Sequence, residues 1–136
     1  MARVNRPVPE GFHTATPYLC IDGAAAAIDF YTRAFGAREL MRHTDPDGRI
    51  RHAQFVIGDS PFMLSDNFAE FGMIRSVQQF GGSPASIFLY VPDAAAFFAR
   101  ALAAGAKEIM PLAEQEYGLS GGLADPFGFL WWPTTP

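Results

Sequence analysis

The stretch Thr16–Ala37, TPYLCIDGAAAAIDFYTRAFGA, recurs in outline at Ser86–Ala106, SIFLYVPDAAAFFARALAAGA. In each copy an aromatic-bearing strand meets an Asp, an Ala-rich helix follows, and Gly-Ala closes it. The strands lie about 70 residues apart. A strand–helix unit used twice in so short a chain limits the fold more than any other feature, because each copy must bury its apolar face against similar surroundings. In the first copy Ala27, Ile28, Tyr31, Ala34 and Phe35 fall on one helical face. Asp29 and Arg33 stand outside that face as an i,i+4 pair, and Gly36 suits the position after the last helical turn.

The segments after the two units are also alike. After the first, ELMRHT and RIRHAQFVIG read as strands joined by the Asp45-Pro46-Asp47-Gly48 turn, and Gly58-Asp59-Ser60-Pro61 leads into FMLSD. After the second come EIMPLAEQ, a loop EYGLSGG, a short strand GLAD, the Asp125-Pro126-Phe127-Gly128 turn and the strand FLWWP. The chain therefore reads as α+β, two tandem βαβββ modules. An N-terminal arm covers residues 1–15, the first module 16–66, a connector 67–85 and the second module 86–136. The connector is nearly 20 residues long with few structural signals, which marks it as functional or as a crossing between modules. Its Phe68, Phe71, Met73 and Phe80 suggest that part of it packs on the body, as a lid would.

Composition narrows the function classes. With 49% apolar residues and 13 Phe among 136, there is ample material for a core. A net charge of −4 with scattered basic residues argues against nucleic acid or an anionic membrane as partner. Cys20 is the only cysteine, so neither an internal disulfide nor a zinc-binding cysteine cluster is expected. No apolar run reaches the roughly 18–20 residues of a membrane span, and the polar, Pro-rich start lacks a signal peptide's apolar region. A cytoplasmic protein is expected.

The segments PEGFHTATPYLCIDGAAAAIDFYTRAFGA, PDGRIRHAQFVIGDSPFMLSD, GGSPASIFLYVPD, GAKEIMP and ADPFGFLW together resemble the vicinal oxygen chelate superfamily of glyoxalases, bleomycin-resistance proteins and dioxygenases. They are most similar to its PhnB-like, glyoxalase-related branch. The resemblance implies modules whose sheets curl around a cavity with the helix on the convex side, and a homodimer in which modules of two chains complete each cup. It does not fix the chemistry, since the fold hosts isomerases, dioxygenases, transferases and metal-free binders. In metal-dependent relatives each module supplies one ligand from its first strand and one from its last. Those positions register here on Thr16, Met63, Ser86 and Trp132, none of them a usual ligand for a first-row metal. No metal and no other cofactor is therefore expected. Two departures concern substrate positioning. Phe129 stands where many relatives carry His after DPFG, and Glu116–Gly122 replaces a Trp-Gly-Asp-Arg-Tyr-Gly-like run.

Strand alternation supplies a cavity face independently of the resemblance. If Leu19, Ile21, Ala53, Phe55, Ile57, Phe62, Leu64, Leu89 and Val91 face the helices, the opposite faces carry Thr16, Tyr18, Cys20, His52, Gln54, Met63, Ser65, Ser86, Phe88, Tyr90, Leu130 and Trp132. Tyr18, Gln54, Met63, Phe88, Tyr90 and Trp132 are the candidate ligand-binding residues. An aromatic set with a few neutral hydrogen-bonding groups suits an organic ligand. His52 and Glu116 are the candidate catalytic residues, each with a plainer alternative as a strand histidine and a surface carboxylate. Two functions compete. One is metal-independent binding of a small hydrophobic or aromatic molecule. The other is glyoxalase-like lyase/isomerase or dioxygenase-type catalysis, using His52 or a metal held in a different register.

Overall fold

The computed structural model describes residues 7–72 and 75–136. Residues 1–6 of the expected arm, and Met73 of the connector, lie outside the described residues. The first module runs β1 (Tyr18–Cys20), α1 (Ala24–Phe35), β2 (Arg38–Thr44), β3 (Ile50–Ile57) and β4 (Ser60–Ser65). A 3₁₀ turn at Ala69–Phe71 and a short helix α2 (Val77–Phe80) come next. The second module runs β5 (Ile87–Tyr90), α3 (Ala94–Ala104), β6 (Lys107–Gln115), β7 (Gly118–Ala124) and β8 (Leu130–Thr135). Each module forms a four-stranded mixed sheet of matching order, β1-β4-β3-β2 and β5-β8-β7-β6. In each the first strand pairs in parallel with the last. The duplicated order read from the sequence is thus a duplicated topology. The two sheets remain separate and do not close around a common cavity, because β1 and β5 are both edge strands.

The helices start where a strand end from the same module caps them. Asp66, just beyond β4, accepts the N–H groups of Gly23 and Ala24 with one oxygen and that of Ile50 with the other. In the second module Thr135 Oγ1 accepts the Ala94 N–H, while the Asp93 side chain accepts that of Ala96. Such contacts satisfy donors that a helix leaves free at its N-terminus. At the other end Gly36 adopts φ 69°, a left-handed turn that glycine enters without a Cβ clash.

Behind the two sheets lies one shared core. All five residues assigned to the buried face of α1 are buried, and so is Phe30. Phe30 lies on the flank of that face, against Phe127 of the second module, with ring centroids 6.1 Å apart. Tyr31 and Trp131 are fully buried and 5.3 Å apart, although one belongs to each module. Phe35 stacks on Phe97 at 5.2 Å, and Phe62 meets Trp131 at 5.8 Å. Arg100 of α3 reaches across to the end of α1, donating to the carbonyls of Arg33 at 2.7 Å and Thr32 at 3.3 Å. A guanidinium there satisfies orphan carbonyls and complements the helix dipole.

At the centre of this junction sits Asp125 of the DPFG turn. One carboxylate oxygen accepts the backbone N–H groups of Phe127, Gly128 and Phe129. The other accepts Tyr31 O–H at 2.7 Å and Trp131 Nε1–H at 2.9 Å. Burial, reinforced by the neighbouring Asp125 charge, pushes the Tyr31 phenol well above its ordinary pKa.

Two expectations change. The segment Glu116–Gly122 is not a loop: Glu116 and Tyr117 form a tight turn, and Gly118 already begins β7. Its glycines disguise the strand, yet the packing demands them. Gly118 has φ 129°, and a Cβ there would run into the Thr135 carbonyl oxygen. The connector also packs differently. Phe71 and Phe80 stay 55% and 65% exposed, whereas Val77 is buried. A Cβ on Gly128 of the DPFG turn would come 3.1 Å from Val77 Cγ2. Phe68 lies under the guanidiniums of Arg49 and Arg51, 4.1 and 4.4 Å from its centroid, and Arg49 also pairs with Glu70 at 2.7 Å. Farther on, Ser76 donates to Asp22 at 2.6 Å.

Candidate functional site

On the face of the first sheet turned away from the helices, the register puts Tyr18 against Met63 and Met63 against Gln54. The residues form a band because side chains two apart on each strand share a face. His52, one side-chain step along β3 from Gln54, bridges the band. Tyr18 Oη lies 2.7 Å from His52 Nδ1, and Gln54 Nε2 lies 3.1 Å from His52 Nε2. Just before it, Arg51 is the extra residue of a bulge between β2 and β3, where His43 pairs with His52 and Thr44 with Ile50. Arg51 is held by Asp45 at 2.7 Å.

Loss of hydration, with the nearby His43, lowers the His52 pKa below the ordinary imidazole value. At neutral pH this ring is uncharged, with one N–H and one lone pair. Partial burial raises the Tyr18 phenol, so it too is neutral. The site is therefore a neutral hydrogen-bonding band over a thioether. Cys20 is buried beside it, donating weakly to the Asp66 carbonyl at 3.8 Å. Burial, then the Asp22 charge, raises this thiol's pKa, which makes it a poor nucleophile.

The corresponding face of the second sheet is aromatic. Phe88 pairs with Trp132 across β5 and β8. Phe88 and Tyr90 meet edge-on at 5.3 Å, and both are exposed, at 46% and 72%. Trp132 is half-buried and lies across Gly122 of β7. A Cβ on Gly122 would come within 2.5 Å of Trp132 Cζ3 and 3.0 Å of Ile109 Cγ1. The bare backbone of β7 thus lets the indole approach the strand closely. Tyr117 adds a further ring, 6.1 Å from Phe88, from the β6–β7 turn. Reading 116–122 as a loop hid both Tyr117 and Gly122; the three glycines of GLSGG were the available signal, since they leave a bare sheet surface for a neighbouring ring.

The structure thus gathers Tyr18, His52, Gln54 and Met63 on one sheet and Phe88, Tyr90 and Trp132 on the other. It does not bring Glu116 to His52. Glu116 sits exposed in the β6–β7 turn, and among the described residues no hydrogen bond or ion pair joins the two. A separate groove of about 640 Å³ at the module junction is lined by Phe88 and Tyr90 together with Phe35, Ser60, Phe97 and Arg100. Neither Tyr18 nor His52 borders it.

The residues available for a metal can be judged on their donors. Met63 and Trp132 face Tyr18 and Phe88 across the parallel pairs, and Thr16 and Ser86 precede the strands altogether. A thioether and a phenol in one module, and an indole and a phenyl in the other, do not fit a first-row divalent metal. The nearest carboxylate, Asp66, is committed to three backbone donors. Among the described residues no group of three His, Cys, Asp or Glu side chains comes together.

Comparison with known proteins agrees with this architecture. The chain is 43% identical over 119 residues to the Mycobacterium tuberculosis protein Rv0887c, covering 85% of this chain and 70% of that one. Among solved structures it is similar to TioX from Micromonospora sp. ML1, at 28% identity and TM-score 0.70 over 91% of this chain and 96% of that one. A PhnB protein from Bacillus cereus shares the fold, with TM-score 0.70 at 21% identity over 91% of this chain and all of that one. The family model of the glyoxalase/bleomycin resistance protein/dioxygenase superfamily matches residues 12–132, and with its paired modules the chain belongs to that superfamily.

Proposed function

We propose that the protein binds a small hydrophobic or aromatic molecule without the help of a metal. The observation that carries this reading is the chemistry of the two outward sheet faces. One offers a neutral Tyr18–His52–Gln54 band over Met63, and the other Trp132 paired with Phe88, which in turn meets Tyr90. Planar apolar compounds gain from stacking on such rings, and a few neutral polar groups orient them. The four positions registered for metal ligands carry no fitting donor set, and Asp66 is occupied in capping α1.

Metal analysis of untagged protein, followed by chelator treatment and thermal denaturation, tests the metal-independent part. The expected result is metal well below one equivalent per chain and an unchanged melting temperature after chelation. Stoichiometric zinc, nickel or iron whose removal lowers the melting temperature would overturn it. Quenching of tryptophan fluorescence by planar aromatic compounds, lost in Trp132→Ala, tests the binding part.

The 2.7 Å contact between Tyr18 and His52 favours a second reading, in which His52 serves as a general base in a lyase or isomerase. Under that reading His52→Ala lowers turnover far more than substrate affinity, whereas equal losses mark His52 as a binding group only.

A further inference from the structure

Four strands stand at sheet edges, β1, β2, β5 and β6. Proteins guard such edges against pairing with charges, bulges and proline. β2 carries Arg38, Glu39 and Arg42 and two register shifts against β3. β6 carries Lys107, Glu108 and Glu114, with Pro111 and two register shifts against β7. β1 is only three residues long. β5, with the sequence IFLY, has no charge, no proline and no register shift against β8. The Val91 N–H continues its ladder by donating to the Thr134 carbonyl, so Leu89 and Val91 turn their backbone groups to β8. Those of Phe88 and Tyr90 turn the other way, and among the described residues no hydrogen bond reaches them. This free edge borders the groove of about 640 Å³. A second wall comes from α3, since Asp93, Ala96, Phe97 and Arg100 stand at i, i+3, i+4 and i+7 on one helical face. Residues 57–60, the turn between β3 and β4, line it from the first module.

We infer that the groove is a docking site for an extended peptide segment, apolar at its centre and flanked by Lys or Arg, that adds to β5 as an antiparallel strand. Phe88 and Tyr90 present two N–H donors and two C=O acceptors at the two-residue spacing of a strand, which another extended backbone matches. The four residues of β5 span about 13 Å, and the seven-residue step from Asp93 to Arg100 spans about 10 Å of helix. Both walls therefore run alongside a segment of about four or five residues. Side chains two apart on that segment share a face. One set points to Phe97 on the helix side, and the alternate set lies beside the exposed rings of Phe88 and Tyr90. Charge selects the flanks. Asp93 accepts the Ala96 N–H with one oxygen, and Asp59 accepts the Ser60 hydroxyl with one. Among the described residues neither carboxylate is paired with a cation. Arg100, the guanidinium of the lining, is turned to the end of α1 and donates to carbonyls there. The unanswered charge of the groove is thus negative and complements a basic flank. With walls from α3 and from residues 57–60, the space beside β5 takes one segment and not the edge of a further sheet. That separates a peptide from a second copy of this chain. The inference stands apart from the aromatic-binding reading, whose anchor, Trp132, does not line the groove.

The test titrates the peptide acetyl-Lys-Thr-Leu-Thr-Lys-amide against the ¹⁵N-labelled full chain. With peptide bound, the amides of Phe88 and Tyr90 are expected to exchange with solvent at least about tenfold more slowly, as newly hydrogen-bonded strand amides do. N-methylation of both threonines removes the two N–H groups aimed at β5 and should weaken binding at least about tenfold, the size of one or more lost hydrogen bonds. Replacing both lysines of the peptide by Glu should weaken it by a similar factor, and Asp59→Lys should narrow that difference. Ala96→Trp fills the groove from an exposed position on α3 and should abolish binding while the thermal transition persists. The exchange measurement on the unaltered protein decides the matter even if these variants fold poorly. Protection of the same amides by raising the protein concentration alone would give the edge to a second copy and overturn the inference. Displacement of the peptide by planar aromatic compounds would give the groove to a small molecule and overturn it too. So would no binding, or equal binding of the N-methylated peptide. Trp132 quenching tests the aromatic-binding reading separately, so that reading survives each of these outcomes.

Discussion

At the scale of single residues, the most consequential side chain is Asp125, which the ligand-facing surfaces do not include. It receives five hydrogen bonds, three from its own turn and two from Tyr31 and Trp131, so it ties the helix of one module to the last strand of the other. Charge-assisted bonds in a buried setting are among the stronger polar contributions, and a lost partner leaves a donor dry. Asp125→Asn keeps the shape but turns an N–H₂ toward groups that also donate. It is expected to cost about 3 kcal/mol of stability, read from urea denaturation monitored by circular dichroism. A loss under 1 kcal/mol would mean that the turn holds without its carboxylate. None of this was legible in the sequence beyond the DPFG motif, because the two strongest partners arrive from a helix 94 residues away and a strand six residues on. The Tyr18–His52 contact was hidden for a similar reason. Strand alternation put both on one face, but their meeting depends on β4 lying between β1 and β3 and on the bulge at Arg51.

Elements were more readable than contacts. The helices declared themselves through Ala-rich runs bounded by Asp and Gly, and the alternation of Ala53, Phe55 and Ile57 identified the buried face of β3. Strand β7 was the exception. GLSGG has neither the β-branched residues nor the alternation that mark a strand, and its glycines are chosen by what packs on them. Phe98 Cε2 would lie 2.7 Å from a Cβ on Gly121, and the Trp132 ring would lie 2.5 Å from one on Gly122. Glycine on this strand therefore serves the fold on one side and the candidate site on the other. Gly122→Ala is the discriminating change. Gly122 is not among the residues of positive φ, so alanine is acceptable to its backbone, but the methyl must lift the indole off the sheet. The expected result is a shifted tryptophan emission and at least tenfold weaker binding of aromatic compounds, with overpacking costing about 1–3 kcal/mol of stability. Unchanged emission and affinity would show that Trp132 does not form the stacking surface.

The whole molecule places its shared core between the sheets and leaves the two candidate faces outside. Tyr18, Met41, Phe88, Tyr90, Ile109 and Tyr117 are each more than a third exposed, and the neighbouring strands β1 and β5 keep unpaired edges. Phe88 meets both Tyr90 and Tyr117, so the aromatic part of this surface is contiguous, a kind that monomers seldom leave uncovered, and open strand edges invite pairing. A second copy would provide what each face lacks if the polar band of one chain and the aromatic shelf of the other enclosed a ligand together. A two-fold arrangement satisfies both pairs at once, since each chain offers one face of each kind. The prediction is a homodimer in sedimentation velocity at micromolar concentration, of twice the 14.8 kDa chain mass. Tyr90→Glu places a charge on the most exposed ring of the shelf without touching the core. It should shift the population toward monomer and weaken aromatic ligand binding in parallel, while the thermal transition of the dilute protein persists. A wild-type monomer that still binds planar compounds tightly would assign the site to one chain, and the groove bordered by Phe88, Tyr90 and Phe97 would then be the place to look for it.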